Sequence, residues 1–491
     1  MRLKTDKTTL TLGIKSHKIP LTLLQKTSKT TLTLVVFQRK IISHLEKWSQ
    51  KADRKPLVIR GARQVGKTTV INSFGQRFKQ YIYLNLEIRT DLEPFRINAD
   101  IEGLVQSIFL LKKQKFAERE NTLLFIDEIQ AFPGALNMLR YFYEQYPELR
   151  VIAAGSLLET IFNRGLSFPV GRVEFLVIRP VSFPEFLEAI GHAEALKQLE
   201  KVPVNDFAHA TLLQLFHTYA LIGGMPEIVN QYATTKDLTA LGEIYDRLII
   251  SYIDDVDKYA RNTHLLQVIG HCIRTSFAEA GKRIKFQNFG QSNYSSKDVG
   301  EALRTLEKTF LLSLLYPTTD TRLPIVPDLR KSPRLQVLDT GLMNYSLGIQ
   351  TDILGSDDLN QVHQGVIIEH LIGQELLAGQ FNALSHLNFW TREKKTATAE
   401  LDYIYPFESK LIPIEVKSGK DGALKSLHQY LDDAPHDIAI RFYAGKFQLT
   451  PTTTPAGKPY RLLNLPYYLG SQTEKYITWL KDSMPTSPDQ K

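Results

Sequence analysis

Gly61-Ala62-Arg63-Gln64-Val65-Gly66-Lys67-Thr68 is a complete G-x-x-x-x-G-K-[ST] phosphate loop. Leu57-Val58-Ile59 runs into it as a short buried-type strand, and Thr69 to Phe78 can continue it as a helix. Strand, loop and helix in that order are the setting in which this motif binds a nucleoside triphosphate. Gly61 and Gly66 let the backbone curl until its N–H groups face the phosphates at a helix N-terminus, where the dipole also favours an anion. Lys67 is expected to meet the β- and γ-phosphates of ATP and Thr68 to offer its hydroxyl to Mg2+. Ala62, Arg63, Gln64, Val65 and Thr69 complete the binding loop. The alternative is a Gly-rich turn with no ligand.

Farther along, Leu123-Leu124-Phe125-Ile126 is an apolar run of the kind that forms a fully covered parallel strand, so Asp127 and Glu128 emerge at its C-terminal edge, where such sheets bind ligands. This is a Walker B element. Asp127 is expected to hold magnesium, and Glu128 to polarise the water that attacks the γ-phosphate. Ile41, Leu45 and Trp48 mark a helix before the loop. After it come a strand Tyr81 to Leu86, a helix Ile101 to Phe116, a helix Ala135 to Tyr146 and a strand Val151 to Ala154. Strands alternating with helices imply an α/β fold with a parallel sheet covered on both faces. Asn85 and Ser156 each end a strand and are candidate γ-phosphate sensors, or simply polar strand ends.

With 491 residues, 43% of them hydrophobic, the chain can bury more than one core, and its length suggests about three domains. Its single cysteine, Cys272, excludes an intramolecular disulfide and a cysteine-based zinc cluster, and the twelve histidines show no metal-ligand spacing. No stretch of 18 apolar residues occurs, so no membrane span is predicted and a cytoplasmic protein is expected. The net charge of +8 invites a nucleic-acid reading, yet residues 1–50 alone carry +8, and the rest is neutral overall. Within that basic start, Lys7-Thr-Thr-Leu-Thr-Leu12 recurs verbatim as Lys29-Thr-Thr-Leu-Thr-Leu34. Residues 1–36 read as a basic low-complexity extension, and a translation start near Val35 is the preferred explanation of it.

Beyond the first units the chain resembles the bacterial and archaeal AAA-type ATPases that carry a C-terminal domain of uncharacterised function with a restriction-endonuclease-like fold. The matching words are Arg54-Lys-Pro-Leu-Val-Ile-Arg-Gly-Ala-Arg-Gln-Val-Gly-Lys-Thr-Thr69, Phe125-Ile-Asp-Glu-Ile-Gln130, Ala154-Gly-Ser156, Gly171-Arg172 and Pro180-Val-Ser-Phe-Pro-Glu-Phe186. Gly223-Gly-Met-Pro226 and Asp339-Thr-Gly-Leu342 continue the series. The resemblance implies a γ-phosphate-sensing arginine at Arg172, acting in its own chain or in a neighbour; the alternative is a surface ion pair. If it acts on a neighbour, hydrolysis requires self-association.

The layout that follows is an ATPase core over 37–183, a helical lid over 184–260 and a winged-helix-like segment over 261–325. A nuclease-like domain over 326–483 and a tail over 484–491 complete it. In the third segment, helix, turn, helix, then strand is the order of a winged helix, with Lys297, Arg304 and Lys308 as candidate phosphate contacts or a solvated helix face. In the fourth, Asp402, Glu415 and Lys417 form the Asp-x(n)-Glu-x-Lys pattern of metal-dependent nucleases, with Glu369 on a preceding helix. Alternation in Ile412-Pro-Ile-Glu-Val-Lys417 puts Glu415 and Lys417 on one strand face. Asp402, Glu415 and Glu369 are expected to bind magnesium, and Lys417 to orient the attacking water.

The function expected is an ATPase whose nucleotide state controls a nuclease-like domain acting on DNA. The alternatives are a nucleotide-dependent switch or scaffold whose C-terminal domain binds DNA or a partner protein without cutting, and an ATPase whose appended domain stabilises an oligomer.

Overall fold

The alternation in the apolar strands sets two core faces. In Leu57–Arg60 (β1), Leu57 and Ile59 point to one side and Val58 to the other; in Thr122–Asp127 (β3), Leu123 and Phe125 oppose Leu124 and Ile126. Together with Gln80–Asn85 (β2), Arg150–Ala154 (β4) and Glu174–Val177 (β5) they pair in the order β2-β3-β4-β1-β5, every pairing parallel. β3 is buried at every position, as an interior parallel strand must be. The computed structural model describes residues 37–483, apart from 99, 156–170, 259, 355–364, 395–396 and 418–423.

Ile41–Gln50 (α1) and Lys67–Gly75 (α2) cover one face of this sheet, and Arg89–Ile97 (α3), Ile101–Leu111 (α4) and Gly134–Gln145 (α5) the other. The helix expected to reach Phe116 stops at Leu111, where Lys113 adopts a left-handed φ of 53° and Gln114 N–H returns to Phe109 O at 2.9 Å. Helices follow at Phe183–Ala189 (α6), Ala193–Leu199 (α7), His209–Ile222 (α8), Pro226–Thr235 (α9) and Gly242–Asp254 (α10). A capping box of Ser182 and Glu185 opens α6. Gly223, at φ 72°, separates α8 from α9.

Thr263–Ser276 (α11) and Ser296–Lys308 (α12) lead into Leu312–Leu315 (β6), Pro317–Thr318 (β7) and Arg334–Val337 (β8). β6 and β8 pair antiparallel over a core of their own that includes Val268, Cys272, Leu303 and Leu335. Arg304 lies 6.0 Å from the Phe286 ring, so it packs within this module. β7 meanwhile joins a different sheet, so the boundary expected at 325/326 falls between paired strands.

The remaining elements are Thr340–Leu347 (α13), Gln350–Leu354 (α14), Val366–Ala378 (α15), Asn388–Lys394 (β9), Ala397–Phe407 (β10) and Lys410–Val416 (β11). Lys425–Asp433 (α16), Ile438–Tyr443 (β12), Gln448–Thr453 (β13), Pro459–Pro466 (β14) and Thr473–Asp482 (α17) complete them. The second sheet runs β13-β14-β12-β11-β10-β9-β7: β9, β10 and β11 form an antiparallel meander, and β12 joins β11 in parallel. No helix among the described residues is long and apolar enough to cross a membrane.

The two sheets do not sit over separate cores. One cluster of buried side chains runs from Val70, Ile71 and Phe74 of α2 through Phe216 and Tyr219 of α8 to Ile368 and Leu371 of α15 and Ile414 of β11. Glu375 of α15 lies within this junction, accepting from Phe183 N–H at 3.0 Å and Tyr219 O–H at 2.7 Å. Burial raises its pKa to about 7, against the pull of Tyr219, the Phe183 N–H and Lys40. A carboxyl whose folded pKa is raised contributes stability that is present below the unfolded value and lost as pH climbs through the folded one. Unfolding free energy should therefore fall between about pH 4.5 and 7 by roughly 3 kcal/mol from this group. Glu375→Gln keeps the accepting oxygen and removes the ionisation, so its denaturation profile should be flatter over that window and its stability at pH 8 higher than wild type. An unchanged slope would assign the pH dependence elsewhere.

Candidate functional site

The phosphate loop leaves the C-terminal edge of β1 and feeds α2. Gly61 (φ 136°) and Gly66 (φ 92°) both adopt conformations closed to other residues, and a Cβ on Gly61 would lie 2.2 Å from Ile178 O. Gln64 also takes a left-handed φ, of 64°. α2 opens at Gly66 with no side-chain cap, which leaves its first N–H groups for an anion. Lys67 is buried, its ammonium donating to Gly61 O at 3.0 Å and Ala62 O at 2.8 Å. Burial lowers its pKa to about 8, with Glu128 and Asp127 opposing the shift. A buried cation held only by carbonyls is a site that binds phosphate oxygens well.

Across the loop, Thr68 Oγ1 donates to Asp127 Oδ2 at 2.7 Å, which brings together the two residues expected to hold magnesium. Burial raises the pKa of Asp127, while the Thr68 hydroxyl lowers it. Tyr83, on the half-buried side of β2, adds a hydroxyl 3.3 Å from the same oxygen, a contact no sequence motif signals. Glu128 follows at φ 49°, a left-handed conformation unusual for a glutamate, and Gln130 Nε2 donates to its carboxylate. The residues fit a Mg2+–nucleotide: oxygen donors at Thr68 and Asp127, a cation at Lys67 and a second carboxylate at Glu128.

Side chains from outside the motif grip the loop. Arg63 forms an ion pair with Asp255, just after α10, while Tyr252 O–H donates to Arg63 O at 3.1 Å and Ser251 lies 3.3 Å from Gln64 Oε1. Arg39, buried ahead of α1, donates to Val65 O at 3.1 Å, to Glu185 at 3.0 Å and to Arg179 O at 2.6 Å. Glu185 stood in the Pro-Val-Ser-Phe-Pro-Glu-Phe motif, but nothing in sequence tied it to Arg39.

Asn85 pairs in register with Asp127 at the same sheet edge, although its Oδ1 accepts from Glu87 N–H at 2.9 Å. Ser156 lies outside the described residues. Arg172 requires a correction. β5 runs parallel to β1 with Glu174 opposite Leu57, so Arg172 lies at the N-terminal edge, opposite to the phosphate loop of its own chain. There it pairs with Glu144 at 3.0 Å as a half-exposed surface ion pair, and a γ-phosphate role within one chain is excluded. A cavity of about 1020 Å³ is lined by Arg39, Lys40, His44, Glu375 and Trp479 among others, and none of Lys67, Thr68, Asp127 and Glu128 faces it.

The C-terminal carboxylates do converge, around a cation that the sequence did not indicate. Asp402 lies where the register of β10 against β9 shifts between Leu401 and Ile404, and its Oδ2 accepts from Val416 N–H at 2.6 Å. Glu415 forms an ion pair with Lys417, so the two share a strand face. Arg334 of β8 reaches the same place: its guanidinium binds Glu369 and Glu400, donates to Asp402 O at 3.1 Å and lies 4.7 Å from the Phe389 ring centre. Burial raises the pKa of Glu369 and of Glu415, with Arg334 and Lys417 respectively opposing. Among the described residues no group of three or more His, Cys, Asp and Glu is arranged to hold a metal ion. The magnesium expected at Glu369, Asp402 and Glu415 therefore does not fit this donor set, because the guanidinium already draws Glu369 and neutralises the cluster. Tyr430 of α16 donates to Leu411 O at 2.8 Å inside the core beneath the sheet.

Three family models match the chain: an AAA domain over residues 53–187, and two domains of unknown function, DUF8612 over 213–353 and DUF4143 over 364–461. No curated protein matches it. Among solved structures it is similar to the Walker-type ATPase PABY2304 of Pyrococcus abyssi (15% identity, TM-score 0.42, covering 64% of this chain and 96% of that one). It is also similar to the Aeropyrum pernix ORC1 protein in complex with DNA (12% identity, TM-score 0.26, 67% and 96%). Likenesses at this level carry no argument, and the assignment rests on the matched domain and on the loop geometry. The segment from 53 to 187 is an AAA-type P-loop ATPase domain, built to bind a nucleotide.

Proposed function

We propose that this protein is a magnesium-dependent ATPase whose nucleotide state is passed to a C-terminal domain of restriction-endonuclease-like build. The observation that carries the coupling is the grip of Arg63 by Asp255 and Tyr252, because the same segment runs directly into α11 of the module that ends in β8. Lys67 neutralises the phosphates, Arg63 reports on the loop, and Glu128 takes the proton of the attacking water. Bound magnesium would supply charge neutralisation across the phosphates, held by Thr68 and Asp127. The order α15, β9, β10, β11, α16, β12, a helix, an antiparallel meander, a helix and a parallel strand, supports the nuclease-like reading of the C-terminal domain. The occupation of its carboxylates by Arg334 favours the switch reading over cleavage in this state. DNA or a partner protein is the proposed target of that domain, and Arg172, exposed at the sheet's far edge, is available to a second copy of the chain.

The test is ATP turnover in Mg2+ combined with amide exchange. Wild type should hydrolyse ATP, and ATP should alter protection over residues 242–276. Lys67→Ala, which removes the buried ammonium, should lose turnover by about 100-fold or more and abolish the exchange response. Turnover without any change over 242–276 would leave an ATPase and remove the coupling; absent turnover in wild type would remove the enzyme reading.

A further inference from the structure

The peptide between Val65 and Gly66 is held from outside the motif. Arg39, two residues ahead of α1 and 8% exposed, donates from one guanidinium nitrogen to Val65 O at 3.1 Å. A second nitrogen donates to Arg179 O at 2.6 Å and the third to Glu185 Oε1 at 3.0 Å. Both of those acceptors are themselves anchored. Arg179 follows Ile178, whose N–H donates to Arg60 O at 2.9 Å at the end of β1. Glu185 belongs to the capping box of α6 and accepts from Ser182 N–H at 2.8 Å and from Lys40 N–H at 2.7 Å. A planar guanidinium fixed at two corners presents its third at Val65 O in one direction.

That direction decides what the loop offers a ligand. The Val65–Gly66 bond is trans, so its C=O and N–H point opposite ways across one plane. With Val65 O drawn to Arg39, the Gly66 N–H points away from the guanidinium, and it is one of the N–H groups that a phosphate loop turns on its ligand. It forms no hydrogen bond with the described residues, and α2 starts beside it without a side-chain cap. Gly66 has no side chain to resist rotation, and a Cβ there would lie 3.6 Å from the Arg39 guanidinium. Rotation of this single peptide plane would replace the donor by a carbonyl, a dipole of the wrong sign for an anion.

We infer that Arg39 is a positioning residue of the phosphate loop: its hold on Val65 O keeps the Val65–Gly66 peptide turned so that the Gly66 N–H faces a phosphate of the nucleotide. The inference rests on the reading of this loop as the nucleotide site and adds to it a residue outside every motif. A purely structural Arg39 would only neutralise the buried Glu185. The two roles are separable, because Glu185 and Val65 O are different partners of one side chain.

The experiment measures MgADP affinity of the full-length protein by titration calorimetry and Tm on the same samples. The proteins compared are wild type, Glu185→Gln, Arg39→Lys and Arg39→Gln with Glu185→Gln. Arg39→Lys keeps a cation for Glu185 but lacks the planar fork that reaches three acceptors, and its affinity should fall by about 10-fold or more. Glu185→Gln leaves the guanidinium on Val65 O, so it should bind MgADP within a few-fold of wild type although its Tm is lower. The double variant removes both charges and should lose affinity as Arg39→Lys does. In ATP turnover Arg39→Lys should raise KM and leave kcat within a few-fold of wild type, because this N–H holds substrate and transition state alike. A folded Arg39→Lys with wild-type affinity overturns the inference, as does affinity that merely follows Tm, with Glu185→Gln losing as much as Arg39→Lys. Should Arg39→Lys fail to fold, the double variant takes its place. A wild type that binds no MgADP would instead remove the nucleotide reading itself, so the two failures are distinct.

Discussion

Glu128→Gln is expected to lower ATP turnover by about 100- to 1000-fold while leaving ATP bound, the loss typical of removing a general base. The amide has the size of the carboxylate and can still contact Gln130, but it cannot accept a proton. Glu128 is placed for the role by three features: it follows the strand that ends in Asp127, its backbone is left-handed at φ 49°, and Gln130 holds its carboxylate. A backbone held in a costly conformation next to the Thr68–Asp127 pair is consistent with a position maintained for chemistry. Lys67, Thr68 and Asp127 are untouched by the change, so nucleotide and magnesium affinity should stay within a few-fold of wild type. Single-turnover hydrolysis and nucleotide retention after gel filtration separate the two effects. Turnover within a few-fold of wild type would show that another group activates the water. Loss of retained nucleotide would make Glu128 a binding residue.

Asp339→Ala should be the most destabilising substitution among those considered, at about 4 kcal/mol. Asp339 is fully buried and caps α13, accepting from Leu342 N–H at 3.1 Å and from Gly224 N–H at 2.6 Å, with the Gly341 N–H also directed at it. Removing the carboxylate strands those N–H groups away from water, each at about 1–3 kcal/mol, beyond the loss of a helix cap worth about 1 kcal/mol. Gly223→Ala tests the same junction from the other side, since its Cβ would lie 2.3 Å from Asp339 Oδ1 and 2.5 Å from Gly341 N at a φ of 72°. Both variants should show a clear fall in Tm and in the denaturant midpoint, and Asp339→Asn, which keeps an acceptor, a smaller one. A wild-type Tm for Asp339→Ala would mean that water or a backbone shift satisfies the exposed donors.

That junction shows what could be read from the chain and what could not. Gly223-Gly-Met-Pro226 and Asp339-Thr-Gly-Leu342 are separate words in the sequence, and no periodicity or spacing relates them. Their contact depends on how α8 and α13 pack, so it appears only once the chain is folded. The same holds for Arg39 on Val65 O and for Arg334 among Glu369, Glu400 and Asp402. Glu369, Asp402, Glu415 and Lys417 were legible because they follow a local motif, but the guanidinium that neutralises them comes from a strand of another sheet. The sequence leaves Arg172 open between a γ-phosphate sensor, in its own chain or a neighbour, and a surface ion pair; it precedes β5, which puts it at the N-terminal edge of the sheet, and its partner Glu144 on α5 appears only in the folded chain.

The amino-acid sequence by itself determined the phosphate loop, the acidic end of the covered strand and the parallel sheet that joins them. All three rest on local rules: glycines where φ must be positive, an apolar run where both faces are buried, a helix N-terminus where phosphate binds. Tertiary structure alone decided that one core joins the two sheets, that Asp255 and Tyr252 hold the loop, and that an arginine fills the C-terminal cluster. Those outcomes depend on burial and charge pairing between residues far apart in the chain, where the energy of each contact is set by what else is packed beside it.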